Sequence, residues 1–501
     1  MKVSVKKELG AEFDALIVPL SEESVSGQAA LELPGLPEMM KEAVLSAVKA
    51  GKPGKECGAV YAAELYEKET EKFRKLVLVQ LGDGTATNRE VFLALAKAFK
   101  CCKESKPAVT AVFMDAAGEL LSSHERIQKL FELPYLVSYQ FNAYKSVPVE
   151  NGMKEAVMVT EKEGMEDIAR EAKHVAESTM LARDLVNHPS MYMTPEKLAE
   201  EAAAVAKETG LEIQVYDKKE MEDMKMGAFL SVAQGAVDEP RLIVLRYHGG
   251  KEGEAPVALV GKGIMFDSGG YSLKSKMDTM HDDMGGAAAV IGAIRAIALE
   301  KLPVNVIAVA AACENMISGD AYVPGDILFS MNGKTIEMLN ADAEGRLTLA
   351  DAITYAIRKE GAGAIIDIAT LTGAAKGAVG GKSAAVLAND DELYAEVEAA
   401  SEASCEKIWR LPADKELFAA IRSDVADIKN SSPGNPMGGG SIVAGLFIQE
   451  FVEEKPWVHV DMAPVNWLPE GNSYCIHHHR RAVFRFTVCR TPVLLRGTVH
   501  S

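Results

Sequence analysis

The sequence is poor in cysteine and contains no long apolar run. Seven cysteines are scattered through 501 residues, an odd number with no Cys-x-x-Cys pair, which excludes a disulfide framework and disfavours a zinc ribbon. The longest uncharged apolar stretch, Leu302–Cys313, has about a dozen residues, whereas a membrane-spanning helix needs roughly 20. We therefore expect a protein of the reducing cytoplasm that has no membrane partner.

Positive charge is also in short supply. Lysine and arginine total 54 against 72 aspartate and glutamate residues, which gives a formal net charge of −18. Broad nucleic-acid binding needs a basic surface, so we do not expect nucleic acid as a partner. Hydrophobic residues at 48% and charged residues at 25% are typical of a soluble globular protein.

The length of the chain and its pattern of apolar runs predict two α/β domains. A chain of 501 residues is too long for one ordinary domain and suits two. Residues 1–160 alternate short apolar runs with helical patterns, which predicts a smaller N-terminal α/β domain. Its predicted elements are strands over Asp14–Leu20, Lys75–Leu81 and Ala108–Met114 and a helix over Asn88–Lys100. Residues 161–190 are charged with a helical period and predict a connecting helix.

Residues 191–501 are predicted to form the larger, C-terminal domain. Thr194-Pro195 favours a helix start, and Gly210 favours the end of that helix. Continuous apolar runs separated by helical patterns indicate a central mixed sheet with helices on both faces. These predicted strands are Arg241–Tyr247, Val257–Val260, Val304–Ala312 and Ala364–Ala369.

One cluster of charged residues follows a predicted strand, and a second cluster precedes a predicted helix. Gly261–Gly270, followed by Lys274, comes after the strand at Val257–Val260, where α/β enzymes place their sites. A glycine-rich turn with one surface ion pair is an equally good interpretation of this cluster alone. Asp282-Asp283 precedes a helical pattern from Ala287 to Leu299, and taken alone it is better explained as a helix N-cap.

The third cluster is Asn340–Leu347, ahead of a predicted helix over Ala350–Lys359. Asp342, Glu344 and Arg346 alternate with small residues, so in an extended segment all three would project to one face. That arrangement suits a metal or anion site, and a solvated charged loop is the alternative.

Taken together, the clusters supply four carboxylates and two lysines. Asp267, Asp283, Asp342 and Glu344 would repel one another unless cations neutralised them. Two divalent ions at roughly 3.5–4 Å would neutralise them and form a hydrolytic site. Competing motifs are incomplete, since Ser268 lacks the Gly-x-Ser-x-Gly context and Gly381-Lys382-Ser383 lacks the P-loop glycine.

These segments resemble the leucyl (cytosol) aminopeptidase family. Asn340–Leu347 matches the family signature, except that Ala341 stands where the family usually has Thr. The likeness runs from about residue 160 to about residue 470. The other segments that carry it are Arg183–Pro189, Lys262–Lys274, Met277–Val290 and Asp367–Ala374.

The resemblance implies a set of metal ligands. Lys262, Asp267, Asp283 and Glu344 would hold one exchangeable ion, and Asp267, Asp342 and Glu344 would hold a tighter one. Lys262 ligates only as a neutral amine, so its pKa would have to be lowered by the adjacent ion. Mn²⁺ or Zn²⁺ suits this ligand set, with Mg²⁺ as a third candidate.

The resemblance also implies an aminopeptidase mechanism. A water activated by the metals would attack the first peptide bond of a substrate with a free N-terminus, with preference for leucine or another apolar residue. Lys274 would stabilise the developing oxyanion, and Arg346 would hold bicarbonate as the general base. The implied substrate contacts are Thr370, Leu371, Gly373 and Met280, for which helix-start packing is the alternative role of Met280. The family further implies a homohexamer.

Three departures from the family keep other functions open. The family usually has two more residues between the positions of Lys274 and Asp283, Ala341 lacks a hydroxyl, and the family's ending is not recognisable after Tyr474. A catalytically impaired metal-binding or scaffolding relative is therefore one alternative. A different dinuclear hydrolase is another, which the lysine ligand and the scarcity of histidine disfavour.

The composition changes abruptly near the end of the chain. After Glu470 there is no acidic residue, but there are five arginines and four of the ten histidines, including His477-His478-His479. We hypothesise that the residues from about Cys475 onward arise from a change of reading frame or an error in the sequence. Sequencing the gene tests this hypothesis, and an unbroken, independently confirmed frame through this stretch would reject it.

Overall fold

The computed structural model describes residues 1–466 apart from residues 11, 28–30, 32, 69, 151, 433 and 435–436. The hypothesis about the tail from Cys475 therefore concerns residues outside the described part of the chain. Within the described residues the chain divides into two compact units. One comprises Met1–Met180 with Glu402–Cys405, and the other comprises Leu181–Ser401 with residues 406–466.

The N-terminal unit contains a six-stranded sheet. Its strands are β1 (Lys2–Lys6), β2 (Ala15–Leu20), β3 (Val60–Glu67), β4 (Lys72–Gln80), β5 (Val109–Phe113) and β6 (Glu155–Val159). The spatial order is β1-β6-β5-β2-β4-β3, and every neighbouring pair is parallel except β3 with β4. The three strands predicted for this region are present within one to three residues of their predicted bounds.

Helices cover both faces of this sheet. They are α1 (Glu22–Ser26), α2 (Glu38–Lys49), α3 (Asn88–Lys103), α4 (His124–Ser138) and the start of α5 (Met165–Asn187), with a 3₁₀ segment at Met114–Leu121. Alternate residues of β2 enter opposite cores, Ile17 with α3 and α4 and Val18 with α2. Because both faces are buried, β2 reads as the continuous apolar run that the sequence shows.

The boundary between the two units lies inside α5, between Met180 and Leu181. This helix starts at Met165, four residues after the predicted start of the charged segment at Glu161. The next helix, α6 (Pro195–Thr209), has Thr194 as its N-cap and Gly210 in the left-handed conformation at its end, as the sequence predicts.

The remaining strands of the described chain form two further sheets. They are β7 (Glu212–Tyr216), β8 (Arg241–His248), β9 (Val257–Asp267), β10 (Asn305–Asn315), β11 (Ile327–Phe329), β12 (Thr335–Glu337), β13 (Ala364–Ala369), β14 (Ala384–Ala388), β15 (Ile408–Arg410), β16 (Ile428–Lys429) and β17 (Trp457–Asp461). The large sheet has the order β15-β14-β17-β13-β9-β10-β8-β7, and β11, β12 and β16 form a small one. The four central strands of the large sheet, β17, β13, β9 and β10, are parallel to one another. The strands β14, β8 and β7 add antiparallel pairs to this sheet.

Helices flank this large sheet on both faces. They are α7 (Lys218–Asp223), α8 (Gly227–Ala233), α9 (Gly285–Leu299), α10 (Gly345–Arg358), α11 (Gly373–Val379), α12 (Asp391–Ser404), α13 (Gly440–Gln449) and α14 (Ala463–Asn466), with 3₁₀ segments at Met280–Asp282 and Lys415–Ile421. The mixed sheet flanked by helices confirms the predicted fold class. Among the described residues, no helix combines the length and the apolar character needed to cross a bilayer.

The strand β9 is longer than predicted, which corrects one expectation. The sequence suggested that the strand ends at Val260 and that Lys262 follows it, whereas the strand continues to Asp267. Two glycines do not interrupt it, because β9 pairs with β10 on one side and β13 on the other. At Gly261 a Cβ atom would come within 2.5 Å of the carbonyl oxygen of Gly286 at the start of α9. The role of Gly261 is therefore to let α9 pack closely against β9, and it does not form a turn.

A buried polar group links two central strands below the ends of the sheet. Asp367 of β13 accepts hydrogen bonds from Trp457 Nε1 and His459 Nδ1 of β17, both at 2.6 Å. All three side chains are buried. Burial lowers the pKa of His459, but the Asp367 carboxylate outweighs this effect and the pKa lies above its usual value.

Replacing Asp367 with Asn is expected to destabilise the protein by about 3 kcal/mol, because a buried charged pair loses one member. Urea unfolding followed by circular dichroism measures this change. A raised histidine pKa stabilises the fold fully below the unfolded pKa of about 6.5, and this contribution is lost as the pH rises through the folded pKa. The difference between parent and variant should therefore be larger at about pH 6 than at about pH 9.

The exposed pair of Asp391 with Arg410 provides the control. Replacing Asp391 with Asn should shift the urea midpoint far less, since exposed ion pairs contribute little. Equal effects of the two substitutions, or a difference at Asp367 that does not vary with pH, would contradict this account of the buried pair.

Candidate active site

The parallel strands of the large sheet end at one edge, and their last residues carry polar side chains. Asp267 ends β9, Asn315 ends β10, Thr370 follows β13 and Asp461 ends β17. A cavity of about 450 Å³ opens at this edge. Ligand sites of α/β proteins lie at the carboxyl ends of parallel strands, so this edge is the candidate active site.

All site residues proposed from the sequence lie on this one cavity. They are Lys262, Asp267, Lys274, Met280, Asp283, Asp342, Glu344, Arg346, Thr370, Leu371 and Gly373. Chain segments as far apart as β9 and the loop after β13 meet there because β9 and β13 are neighbours in the sheet. Their convergence is observed, whereas the individual role of each side chain remains a prediction.

Three carboxylates form the centre of the cluster. Ligand oxygens of Asp267, Asp342 and Glu344 all lie within 4.8 Å of one another. Asp267 and Glu344 are buried, and Asp342 is partly exposed. Carboxylate oxygens at such spacing are the donors that hard divalent cations take.

The segment carrying Asp342 and Glu344 is not extended, contrary to the sequence-based expectation. Asp342 lies in a turn, Glu344 has helical backbone angles, and α10 begins at Gly345 rather than near Ala350. Arg346 is therefore part of the helix. At Gly345 a Cβ atom would lie 2.5 Å from Lys262 Cε, so glycine is needed for the helix to start beside the lysine.

Lys262 projects from the middle of β9 into the carboxylates. Its Nζ lies 2.7 Å from Asp283 Oδ2 and 2.8 Å from Glu344 Oε1, and it donates to the carbonyl oxygen of Thr370 at 3.0 Å.

The expectation that an aspartate caps the helix after Asp283 is wrong. The N-cap position of α9 is Met284, and it makes no side-chain capping bond within the described chain. The Asp283 side chain instead accepts from Thr370 Oγ1 at 2.6 Å.

Lys274 pairs with the other two carboxylates of the cluster. Its Nζ lies 2.7 Å from Asp267 Oδ2 and also pairs with Asp342. Its backbone N–H donates to the carbonyl oxygen of Ser268 at 3.0 Å, which closes the loop after β9. The shortened stretch Ser275–Asp282 therefore does not keep Lys274 from the site.

Burial and the neighbouring charges shift the pKa values of the clustered carboxylates and of Lys262. Burial, reinforced by Glu344, raises the pKa of Asp267 to about 6, and burial also raises that of Asp283 well above its usual value. For Glu344 the two lysines outweigh burial and lower the pKa. Burial opposes the charge of Lys262, but Asp283 and Glu344 outweigh it and raise its pKa.

The donor set fits divalent cations. When all four carboxylates are ionised, the two lysines offset only half of their charge. Glu344 Oε2 is buried and has no hydrogen-bond partner among the described residues. A buried acceptor without a donor is costly unless a cation satisfies it.

Arg346 is buried beside this cluster and lines the cavity. Its Nη1 donates to the carbonyl oxygen of Asn430 at 2.7 Å, while its Nε finds no partner in the described part of the chain. Burial lowers its pKa to about 10, so the guanidinium remains charged at neutral pH and retains a donor.

Asp461 is absent from the sequence-predicted site, but it bonds to residues that line the cavity. Its Oδ1 accepts from the N–H of Leu371 at 3.1 Å, and its Oδ2 accepts from Thr372 Oγ1 at 2.6 Å. This buried carboxylate thus helps to hold the loop that carries Thr370, Leu371 and Gly373. Its place as the last residue of an apolar strand is the signal that would have found it.

Comparison with known proteins decides the family. A sequence model described as the cytosol aminopeptidase family, catalytic domain, matches residues 180–484. The chain belongs to this family. A probable cytosol aminopeptidase of Clostridium perfringens (strain 13 / Type A) is 42% identical over 491 residues, which cover 94% of this chain and 95% of that protein. One from Alkaliphilus oremlandii (strain OhILAs) is 41% identical over 484 residues, covering 92% and 93%.

A third relative has higher identity over a shorter match. The probable cytosol aminopeptidase of Syntrophotalea carbinolica (strain DSM 2380 / NBRC 103641 / GraBd1) is 46% identical over 360 residues, which cover 70% of this chain and 72% of that protein. The resemblance drawn from the site motifs is thus confirmed. Family membership assigns the chain to the metal-dependent aminopeptidases, and its acidic cluster is able to bind metal.

Proposed function

We propose that this protein uses two divalent ions to release N-terminal amino acids, preferably leucine or another apolar residue, from peptides. The observation that carries the proposal is the group of buried carboxylates around Lys262 at the carboxyl ends of the parallel strands. Glu344 Oε2 has no protein donor among the described residues, and such an oxygen is suited to a metal ion.

The ligand assignment distributes the carboxylates between two ions. Asp267, Asp342 and Glu344 are proposed to hold the tighter ion, which their 4.8 Å grouping supports. Lys262, Asp283, Asp267 and Glu344 are proposed to hold the exchangeable one, which the contacts of Lys262 with Asp283 and Glu344 support. Oxygen-rich sites with one amine suit Mn²⁺ or Zn²⁺, and Mg²⁺ is the third candidate.

When bound, the ions would supply Lewis acidity that activates a water and an anchor for the free α-amine of the substrate. Lys262 must be neutral to ligate, whereas its carboxylate neighbours alone hold its pKa high. Positive charge at the same carboxylates has the opposite effect and favours loss of the lysine proton. Metal binding should therefore release protons.

Two cationic side chains are proposed to act on the reacting groups. Lys274, which the carboxylates keep protonated, would donate to the oxygen of the scissile carbonyl as negative charge develops on it. Arg346 would hold a bicarbonate ion as the general base. Its place on the cavity supports this role, as does its Nε, which has no hydrogen-bond partner among the described residues.

Substrate contacts are proposed for the loop after β13 and for Met280. Thr370, Leu371 and Gly373 would position the peptide backbone, because Asp461 fixes their loop. Met280 would contact an apolar side chain of the substrate, since it lies in a 3₁₀ segment at the cavity rim.

We further propose a homohexamer in the cytoplasm. The family resemblance supports the hexamer, and the relatives are named as cytosol proteins. Cys57, Cys101, Cys102 and Cys313 are free thiols, as expected in a reducing compartment.

Metal-dependent turnover of a substrate with a free amine tests the proposal. Purified protein stripped of metal should be inactive on leucine anilide, and reloading with Mn²⁺ or Zn²⁺ should restore hydrolysis measured by absorbance. N-acetyl-leucine anilide should not be hydrolysed, since it lacks the amine that the site requires.

Other outcomes would identify the alternatives. Two bound ions per chain without any turnover would favour the impaired metal-binding relative. Hydrolysis of a phosphoester but not of the anilide would favour a different dinuclear hydrolase. Equal hydrolysis of the acetylated and free substrates would reject an aminopeptidase.

Replacing Lys274 with Met tests the proposed oxyanion contact. The variant should lose about 100-fold or more in kcat with a small change in KM, because the donor acts mainly in the transition state. Steady-state kinetics on leucine anilide measure both constants. Lys276 lies in the same loop with its side chain exposed, and Lys276→Met should leave kcat near the parent value. A kcat of Lys274→Met equal to that of this control would remove Lys274 from the mechanism.

A further inference from the structure

Asn315 lies at the end of β10, directly beside the carboxylate cluster, and its side chain is fully buried. Its Nδ2 donates at 2.8 Å to Asp267 Oδ1 and at 2.9 Å to the carbonyl oxygen of Ala341. Asp267 ends β9, and Ala341 immediately precedes Asp342. One amide group therefore connects the two chain segments that carry the central carboxylates.

The orientation of this amide is determined by its neighbours. Both atoms near Nδ2 are acceptors, a carboxylate oxygen and a carbonyl oxygen, so a flipped amide would place oxygen against oxygen. Asn315 Oδ1 is buried without a hydrogen-bond partner among the described residues. The protein thus retains a buried polar atom that an apolar residue would not have, which indicates a need for the two donors.

The hydrogen bond from Asn315 orients the Asp267 carboxylate. Its Oδ1 accepts from the Gly269 N–H at 2.9 Å and from Asn315 at 2.8 Å. These two neutral donors fix the carboxylate plane and leave Oδ2 directed at Lys274. The oxygen that remains for a cation is therefore set by Asn315.

The surrounding loop is built closely around this side chain. Ser268 donates to the Asn315 carbonyl through its N–H at 3.0 Å and its Oγ at 2.7 Å. At Gly270, which has a φ of +54°, a Cβ atom would lie 3.0 Å from both Asn315 Oδ1 and Ala341 Cβ. A side chain at position 270 would therefore press against Asn315 and Ala341.

We propose that Asn315 is a positioning residue for the metal site, which links Asp267 to the Ala341–Glu344 segment and holds their carboxylates in the arrangement that binds the ions. This inference rests on the proposed function, since it concerns the same site. Asn315 contacts neither substrate nor reacting atoms in this role. Its effect acts through Asp267 and through the backbone before Asp342.

Calorimetric titration of metal-free protein with Mn²⁺ tests the proposal. Asn315→Ala should weaken Mn²⁺ binding by about 10- to 100-fold, the usual loss when a group that orients a ligand is removed. Asn315→Ser retains one donor and should lie between parent and Asn315→Ala. If the alanine variant does not fold, the Mn²⁺ affinity of the serine variant tests the positioning role.

Asn305, at the opposite end of the same strand, gives a matched control. Its Nδ2 also donates to two carbonyl oxygens, those of Lys251 and Glu254, both at 3.0 Å. Asn305→Ala should lower the melting temperature of the metal-free protein but leave the Mn²⁺ affinity within about twofold of the parent. A purely structural role for Asn315 would make the two alanine variants alike in both measurements.

The outcomes separate this inference from the proposed function. Parent-like Mn²⁺ affinity in a folded Asn315→Ala or Asn315→Ser protein would overturn the positioning role while the function stands. A parent protein that binds no Mn²⁺, Zn²⁺ or Mg²⁺ would overturn the function and the inference together.

Discussion

Mutual repulsion among buried carboxylates is the constraint on which the catalytic part of this structure depends. Asp267, Asp283 and Glu344 are almost fully buried, and burial raises the free energy of each charge. Lys262 and Lys274 offset part of this charge, but they cannot neutralise it. The fold tolerates the arrangement because a large apolar sheet and its helices hold the strand ends rigidly, so the excess charge is available to bind cations.

Close packing at glycine brings these groups together. Gly261 lets α9 approach β9, and Gly345 lets α10 begin beside Lys262. A side chain at position 261 would push α9 away from the sheet, and one at position 345 would displace the end of the Lys262 side chain. The site therefore depends on the absence of side chains at two points as much as on the presence of carboxylates at others.

Much of the fold follows from local sequence patterns, and the main error of the sequence-based prediction has a clear cause. Apolar runs located the strands, and Thr194 and Gly210 marked both ends of α6. The glycines within β9 suggested a turn, because sequence alone does not show that both edges of the strand are paired. Similarly, the spacing of Asp342 and Glu344 predicts that an extended segment brings them together, whereas a turn and a helix start do so.

The sequence by itself determined the fold class, the family and most of the ionisable residues at the site, because each depends on residue type and local spacing. The tertiary structure alone decided which of those residues meet. Asn315 and Asp461 are ordinary ends of apolar strands in the sequence, and they become part of the site only where neighbouring parallel strands end side by side. Strand order is set by long-range packing, which local spacing does not encode.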